Sequence, residues 1–573
     1  MTKLLDLRIP RTLDRLVERY SRNVEDIECW VFEDELARTR AEARLLASGV
    51  RARVRSAYKP LLHFFLEEVQ LSGLTSVSIE PPNHATALPQ RFQMEAYPLA
   101  ALLNGVPLHF TPGLRELDYV VALEYGDRKI EHLVFAPNRM RTSHLGETVL
   151  APCGWIRTDA GRGEPIETEY EAVFAAVMRT LADHPWGDTA PYFEELAIDV
   201  SISGIERRLP FGDECLSTGE ALHEDFYFSL REFFCKRAGL PPGDRYLQMG
   251  QIIPDIRLSE GDAIIRVETR SAQPLAPHVP FQQLDSAAFP LAASQVEAEV
   301  ASLGGTRFDG VSDQGRSIPA TRVDGTGPHF VLSAGQHANE PSGIIGALRA
   351  AAILREHGAS FSVIPLENPD GYALSLRLRS SNPRHINHAA RYTALGDDIQ
   401  HRKAEASRGR NARLNALQET GALLHINLHG YPAHEFVRPF SGYLPEGSAV
   451  WAAPRGFFLI ASYRPGFEKV ATDFVFKIAR RVALVPGLKQ YNETHLAAYR
   501  AHVGELSDPV VDSICCVIHE DKRHANPVVI ATEFPDETVY GDHFVLGHTA
   551  QMATAVAAAD IYREGLIDLA HTD

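Results

Sequence analysis

The pattern of apolar and polar residues changes along the chain, and the change predicts two structurally different regions. From about residue 284 onward, short apolar runs alternate with stretches in which apolar residues recur at helical spacing. Such alternation is typical of an α/β fold in which helices connect parallel strands. We therefore predict that residues 284–573 form a three-layer α/β/α domain with a mostly parallel mixed sheet. The expected strands are 330–332, 361–366, 423–428 and 528–532, and the expected helices are 343–356 and 546–562.

Upstream of residue 284 the pattern is less regular and predicts an α+β region with two parts. Residues 1–170 are expected to form an N-terminal α+β domain, and residues 171–283 a second α+β segment. The Pro-rich stretch Gln273–Phe281 closes the second segment and predicts a linker. The boundary to the α/β domain is therefore placed near residue 283.

Local spacing predicts the elements of this upstream region. Residues 1–48 have mainly helical spacing. Gly126-Asp127 separates two β-branched runs and predicts the turn of a hairpin. The further expected helices are 171–182 and 221–236, and the expected strands are 50–55, 120–123, 130–135, 252–253 and 264–267.

Composition is that of an ordinary folded protein, with 45 % hydrophobic and 23 % charged residues. The net charge of −17 argues against a nucleic-acid partner, which requires a basic surface. The sequence has no continuous apolar run of membrane-spanning length and no signal-peptide core, so we predict a cytoplasmic protein without membrane attachment. The six cysteines lack C-x-x-C spacing and are expected to be buried free thiols. Composition indicates no oligomeric state.

The strongest chemical signal lies where a strand leads into a helix. The apolar run Phe330–Leu332 is followed by small residues, then by His337 and Glu340, and then by a helical pattern that begins after Pro341. Ligands of α/β proteins bind at the carboxyl ends of strands. Zn²⁺ binds imidazole nitrogen and carboxylate oxygen, and a catalytic site leaves one position open for water. His337 and Glu340 are therefore candidate metal ligands.

A third candidate ligand stands at the end of another predicted strand. The run Leu423–Leu428 is followed by His429 and Gly430, so His429 lies at a strand end as Glu340 lies after one. Alternation places His425 and Asn427 on the same face as His429. Because His425 lies inside the strand, we expect it to pack in the core or to support a ligand.

A fourth strand end carries a candidate general base. The apolar run from Val528 ends in Thr532, Glu533 and Phe534, and Pro535 is expected to terminate the strand. Amide hydrolysis requires a group that takes a proton from water and passes it to the leaving amine. Glu533 is suited to that role, although an exposed carboxylate at the rim of the sheet is an equally simple interpretation.

An arginine to polarise the carbonyl is expected in a basic loop. Asn368-Pro369-Asp370-Gly371 predicts a turn after the strand 361–366. The predicted loop that follows contains four arginines, any one of which could supply the positive charge. They are Arg377, Arg379, Arg384 and Arg391.

Taken in order, these segments resemble the zinc metallocarboxypeptidases of the carboxypeptidase A type. The resemblance covers about residues 284–573 and begins with Gly310-Val311-Ser312 and Gly315-Arg316-Ser317-Ile318. It continues through H-A-N-E at 337–340, N-P-D-G-Y at 368–372, the strand ending at His429, and T-E at 532–533. The resemblance implies one zinc ion held by His337, Glu340 and His429, with Glu533 as general base and acid.

The segment Arg391–Arg402 resembles the family's arginine segment and the D-L-N-R sequence that follows it. Aligned on Gly396 and Asp398, the resemblance implies that Arg391 stabilises the oxyanion and that Asp398 orients His337. The family's Asn-Arg pair binds the terminal carboxylate of the substrate. It falls here on Gln400-His401, with Arg402 one residue later, so these three are the candidate substrate-binding residues. Arg384 remains an alternative for the oxyanion role, and no counterpart of the family's mobile tyrosine is found before Glu533.

The segment G-Q-H-A-N-E also resembles the aspartoacylase and succinylglutamate desuccinylase branch, whose members cleave amides of N-acylated amino acids. Three functions are therefore compatible with the sequence. The first is a zinc-dependent metallopeptidase, a carboxypeptidase acting on peptides. The second is a zinc-dependent deacylase of N-acyl amino acids. The third is a catalytically inactive binding protein on a peptidase fold.

Overall fold

The computed structural model describes residues 1–21, 24–88, 90–143, 146–159, 161, 163–272, 279–308, 310–400, 402, 411–433, 455–524 and 526–570. In the N-terminal half, several small sheets are packed with helices around one large core and a smaller one. Its strands are β1 (Thr2–Ile9), β2 (Asp26–Val31), β3 (Arg51–Ser56), β4 (Ser76–Glu80), β5 (Leu108–Phe110), β6 (Asp118–Tyr125), β7 (Arg128–Phe135), β8 (Asn138–Thr142), β9 (Thr148–Pro152), β10 (Gly154–Thr158), β11 (Glu164–Ile166), β12 (Glu195–Ile202), β13 (Glu206–Arg208), β14 (Cys215–Ser217), β15 (Gln251–Leu258) and β16 (Ala263–Arg270). Its helices are α1 (Thr12–Tyr20), α2 (Glu35–Ala47), α3 (Pro60–Glu67), α4 (Arg91–Glu95), α5 (Leu99–Leu102), α6 (Glu169–Asp183) and α7 (Thr218–Arg237).

The predictions for this half are confirmed where the structure depends on residues close together in the sequence. Strands β6 and β7 form the predicted hairpin, with Tyr125 paired to Arg128 across the turn. Helix α6 is capped at its N-terminus by Thr168, whose side chain forms a capping box with Glu171. The mostly helical prediction for residues 1–48 is wrong, because β1 and β2 lie beside α1 and α2. Those two strands are stabilised by distant partners, β16 and β10, that local spacing does not reveal.

The two predicted N-terminal segments share a sheet. Strand β1 pairs antiparallel with β16, and β16 pairs with β12, giving the order β1-β16-β12-β15. The first strand of the chain is thereby tied to residues beyond the boundary predicted at residue 170. The division into 1–170, 171–283 and 284–573 stays a prediction.

The C-terminal half is built on one large sheet. Its strands are β17 (Thr306–Arg307), β18 (Gly310–Val311), β19 (Ser317–Ile318), β20 (Thr321–Val323), β21 (Thr326–Ala334), β22 (Ala359–Ile364), β23 (Leu424–Tyr431), β24 (Phe458–Tyr463), β25 (Val510–Val511), β26 (Ile514–Glu520) and β27 (Val528–Pro535). A 3₁₀ turn covers Leu284–Ser286, and the helices are α8 (Ala293–Ser302), α9 (Ser342–Glu356), α10 (Pro369–Ser381), α11 (His388–Arg391), α12 (Asn411–Thr420), α13 (Glu468–Val482), α14 (Leu488–Val503) and α15 (Asp542–Arg563).

The large sheet is mixed, with the order β17-β20-β22-β21-β23-β27-β24-β26-β25. Its middle strands β22, β21, β23 and β27 are parallel, as predicted. Strands β20 and β24 flank them antiparallel, and β24 pairs parallel with β26, so parallel and antiparallel pairs alternate in blocks across the sheet. Every residue of β23 is buried, including the polar side chains His425, Asn427 and His429, because a central parallel strand is covered on both faces.

One predicted loop is a helix. Asn368 does not open a basic loop but caps α10, accepting a hydrogen bond from the Gly371 N–H at 3.0 Å, and Pro369 occupies the first turn. Arg377 and Arg379 therefore lie on a helix. The sequence N-P-D-G is compatible with both a turn and a helix start, and packing of α10 against the N-terminal core decides between them: Leu374 and Leu378 belong to that core.

The six cysteines are buried free thiols, as predicted. Across the described part of the chain, none of the helices combines the length and the apolar character needed to cross a bilayer.

Candidate active site

Three neighbouring parallel strands deliver the candidate residues to one edge of the sheet. Strand β21 lies beside β23, with Ala334 opposite Leu428, and β23 lies beside β27, with His429 directly opposite Glu533. The chain leaves β21 through Gly335, whose positive φ of 61° is easily adopted only by glycine. The turn after Gly335 carries His337 and Glu340 back over the ends of β23 and β27.

The side chains of His337, Glu340 and His429 converge. The Nδ1 atoms of His337 and His429 lie 3.2 Å apart. Glu340 places Oε1 3.0 Å from His337 Nδ1 and Oε2 3.0 Å from His429 Nδ1. One ligand atom from each of the three residues lies within 4.8 Å of the others, and all three residues are buried.

Neighbouring positive groups favour the ionised form of the Glu340 carboxyl. Burial by itself raises the pKa of its carboxyl, but His337 and Arg391 outweigh burial and hold the pKa well below its ordinary value. The Gly430 N–H also donates to Oε2 at 3.1 Å. Burial lowers the pKa of His429, which favours the neutral imidazole that a metal requires.

A buried chain of hydrogen bonds holds the far side of His429. Asn427 Nδ2 lies 2.7 Å from His429 Nε2, and the Asn427 carbonyl oxygen accepts a hydrogen bond from Ser333 Oγ at 2.9 Å. Ser333 Oγ lies 2.9 Å from Nε2 of His425. His425 thus belongs to the support of the site, with His429 Nδ1 left facing Glu340.

We expect Asn427→Leu to lower the affinity of the site for zinc by about 10- to 100-fold, the usual effect of losing a group that orients a metal-binding histidine. Leucine has a similar volume but offers no polar atom to His429. Competition with a chromophoric chelator at fixed pH measures the affinity. Asn427→Asp keeps a polar side chain of nearly the same shape beside His429 Nε2 and is the control; equal affinities for the Leu and Asp variants would show that Asn427 does not orient His429.

The carboxylate of Glu533, the candidate general base, lies on the strand next to that of His429. It is partly buried, and within the described residues no group hydrogen-bonds to its Oε2. Burial raises its pKa well above the ordinary value, Glu340 adds to the rise, and Arg391 opposes it. A cation at the three ligands would reverse that balance and favour the ionised form.

Asp536, three residues after Glu533, is hydrogen-bonded to a backbone N–H group. Its Oδ2 accepts a hydrogen bond from the Ser342 N–H at 2.7 Å, at the start of α9. Burial raises the pKa of Asp536 to about 8. This carboxyl therefore fixes the helix that follows Glu340 and was not suggested by the sequence.

Arg391 reaches the site and Arg384 does not. Arg391 Nη1 donates to Glu340 Oε1 at 2.7 Å. Arg384 stacks on Tyr540, with its guanidinium carbon 5.3 Å from the ring centroid. Arg377 lies 3.3 Å from Glu195, and Arg379 donates to the hydroxyl of Tyr540 at 3.0 Å. Of the four arginines expected near the carbonyl, the structure brings only Arg391 to the candidate ligands.

Asp398 lies on the far side of His337. Its Oδ1 is 3.7 Å from His337 Nε2. Although burial raises the pKa of this carboxyl, His337 and Arg391 hold it well below its ordinary value. Burial and Arg391 lower the pKa of His337, but Glu340 and Asp398 raise it overall.

The predicted substrate-binding residues are only partly accounted for. Gln400 Oε1 accepts a hydrogen bond from Gln336 Nε2 at 2.7 Å, next to His337. Arg402 is buried and held by two carboxylates, with Nε 2.6 Å from Asp397 and Nη2 2.7 Å from Asp313. His401 lies outside the described residues. Their predicted role in binding substrate stays a prediction.

The arrangement fits a zinc ion. Two imidazole nitrogens and a carboxylate are the donor set of many catalytic zinc sites. In the structure these donors are buried and close together, with Asn427 hydrogen-bonded to His429 and Asp398 3.7 Å from His337 Nε2. A neighbouring carboxylate, Glu533, has an oxygen atom without a hydrogen-bond partner among the described residues.

Comparison with known proteins gives structural neighbours only. No protein-family model matches the chain, and no curated protein matches it either. A metallo-carboxypeptidase from Pseudomonas aeruginosa is 14 % identical, covers 53 % of this chain and 72 % of its own, and has a TM-score of 0.29. A metallo-carboxypeptidase from Burkholderia cenocepacia is 14 % identical, with 53 % and 76 % covered and a TM-score of 0.29. Carboxypeptidase A from Helicoverpa armigera is 10 % identical, with 54 % and 90 % covered and a TM-score of 0.32. Metallo-carboxypeptidases of the carboxypeptidase A type are thus among the chain's structural neighbours.

Proposed function

We propose that this protein is a zinc-dependent metallopeptidase that hydrolyses peptide amide bonds, a carboxypeptidase. The observation that carries the proposal is the convergence of His337, Glu340 and His429 beside Glu533 at the ends of three adjacent strands. His337, Glu340 and His429 would hold one zinc ion. When bound, the ion supplies Lewis acidity to the scissile carbonyl and to the attacking water.

The chain's own residues carry the proton and the charge. Glu533 takes a proton from the attacking water and delivers it to the leaving amine nitrogen. Arg391 donates hydrogen bonds to the carbonyl oxygen as it becomes negative, and its guanidinium stays charged throughout. Asp398 holds the ring of His337 from the side opposite Glu340.

The larger architecture belongs to the same proposal. We expect helices on both faces of the large sheet, giving three layers, which the complete burial of β23 supports. Residues 284–573 would form the catalytic domain. The protein is expected to act in the cytoplasm on peptides, without nucleic acid or membrane.

A second candidate is a deacylase of N-acyl amino acids. It is favoured by the state of Arg402, whose guanidinium already contacts Asp397 and Asp313 rather than standing free for the carboxylate of a peptide. The inactive binding protein is a third candidate; the Oε2 of Glu533, which has no hydrogen-bond partner within the described ranges, argues against it.

A substrate comparison with the zinc-loaded protein tests the proposal. We expect release of the C-terminal residue from peptides with a free terminus, and at least about 10-fold slower reaction when the terminus is amidated, since a charged hydrogen bond contributes about 1.5–3 kcal/mol. Mass spectrometry identifies the products. Faster hydrolysis of N-acyl amino acids than of any peptide would favour the deacylase. Zinc binding without turnover of either class would favour the binding protein.

A further inference from the structure

Arg391 lies in the middle of a segment, residues 382–400, with little regular structure of its own. Between the end of α10 and residue 400, the only helix described is the four-residue α11, which ends at Arg391. A helix this short is not stable by itself. Its position must come from the residues around it.

Three side chains from elsewhere bind the three backbone N–H groups at the start of this segment. The Ile386 N–H donates to Glu220 at 3.2 Å, the Asn387 N–H to Glu537 at 2.8 Å, and the His388 N–H to His223 Nε2 at 3.1 Å. The N–H groups at a helix start have no partner within the helix, so each needs one from outside. Glu220 and His223 both lie on α7, in the N-terminal half.

The hydrogen bonds of His223 define its chemical form. Its Nδ1 donates to the carbonyl oxygen of Pro254 at 3.0 Å, which leaves Nε2 as an acceptor for the His388 N–H. His223 is fully buried, and burial lowers its pKa well below the ordinary value. The ring is therefore neutral and serves as a fixed acceptor.

The same helix α7 holds the other side of Arg391. The guanidinium carbon of Arg231 lies 4.3 Å from the ring centroid of Tyr392, the residue after Arg391. Arg231 also donates to the carbonyl oxygen of Gly396 at 2.9 Å. Gly396 has a φ of 84°, and a Cβ there would lie 2.0 Å from the carbonyl oxygen of Gly250, so the segment packs directly on the N-terminal half.

We infer that helix α7 positions Arg391, with His223 and Arg231 as the positioning residues that aim its guanidinium at the metal centre. Neither residue touches the ligands; both act through the backbone on either side of Arg391. The inference rests on the proposed function for its catalytic consequence. By this inference the N-terminal half affects catalysis by placing Arg391, although none of its own residues takes part in the reaction.

The test compares variants of the full-length zinc-loaded protein. We expect His223→Leu to lower kcat/KM by about 10- to 100-fold, mainly through kcat, the scale of a misplacement near 1 Å. His223→Gln keeps an acceptor and is expected to restore most of the activity. In an Arg391→Met background, His223→Leu is expected to have no further effect, because residues that act through one another are not additive. His63→Leu removes a buried histidine of the same half that hydrogen-bonds Glu67, and it should leave kcat/KM unchanged per folded molecule.

A second readout does not depend on turnover. In the metal-free protein, amides 386–391 are expected to exchange hydrogen faster in His223→Leu than in the wild type, and at the wild-type rate in His223→Gln and His63→Leu. If His223→Leu does not fold, Arg231→Lys replaces it in the same comparison. This variant keeps the positive charge but loses the planar stacking on Tyr392. Multiplicative losses with Arg391→Met, or unchanged exchange, would overturn the inference. If exchange is faster in His223→Leu but the zinc-loaded wild type hydrolyses no substrate, the proposed function is wrong and the positioning by α7 still holds.

Discussion

Glu533→Gln is expected to retain one zinc ion and to lose at least about 100-fold in kcat, the scale of general acid–base assistance. The variant removes the group that takes and returns the proton but hardly changes its size. Glu533 is not among the three converging ligands, and its Oε2 has no hydrogen-bond partner among the described residues. Metal content and steady-state kinetics together measure the result.

The matched control is Glu520→Gln. Glu520 also ends a strand of the large sheet, β26, but β26 runs antiparallel to β27 through β24, so Glu520 lies at the opposite edge. Its substitution should leave both zinc and kcat unchanged. Wild-type turnover by Glu533→Gln would remove this residue from the mechanism, and loss of zinc would make it a ligand instead.

His429→Ala is expected to abolish both zinc retention and activity. The variant leaves two of three protein ligands, and the affinity should fall by more than the roughly 10- to 100-fold caused by loss of a supporting residue. The metal-free variant should also show no increase in unfolding temperature when zinc is added, because a ligand that does not bind the native state cannot stabilise it. Calorimetric unfolding with and without zinc measures this.

His109→Ala, at an exposed position on β5, is the control for loss of a histidine and should bind zinc as the wild type does. Full zinc occupancy of His429→Ala would show that another donor completes the site. A stable folded variant without zinc is the expected outcome, since β23 keeps its apolar contacts in the core.

Much of the site was predictable because each of its parts is marked locally. His337, Glu340, His429 and Glu533 each follow an apolar run at a predicted strand end, and strand ends on parallel sheets share one edge. The hairpin at Gly126-Asp127 was predictable for the same reason, since two residues decide its turn. Spacing by itself did not choose among the four arginines, because it does not tell which side chain faces the ligands, and Arg391 was singled out only by the resemblance.

By itself, then, the sequence determined the apolar strands, the polar residues at their ends and the helix that follows Glu340, because these depend on residues within a few positions of one another. The tertiary structure alone decided that β21, β23 and β27 are neighbours and that His429 lies opposite Glu533. It also decided that Asn427 supports His429 and that α7 of the N-terminal half binds the segment before Arg391. Those contacts join residues far apart in the chain, and they form only when packing of the whole core fixes which surfaces meet.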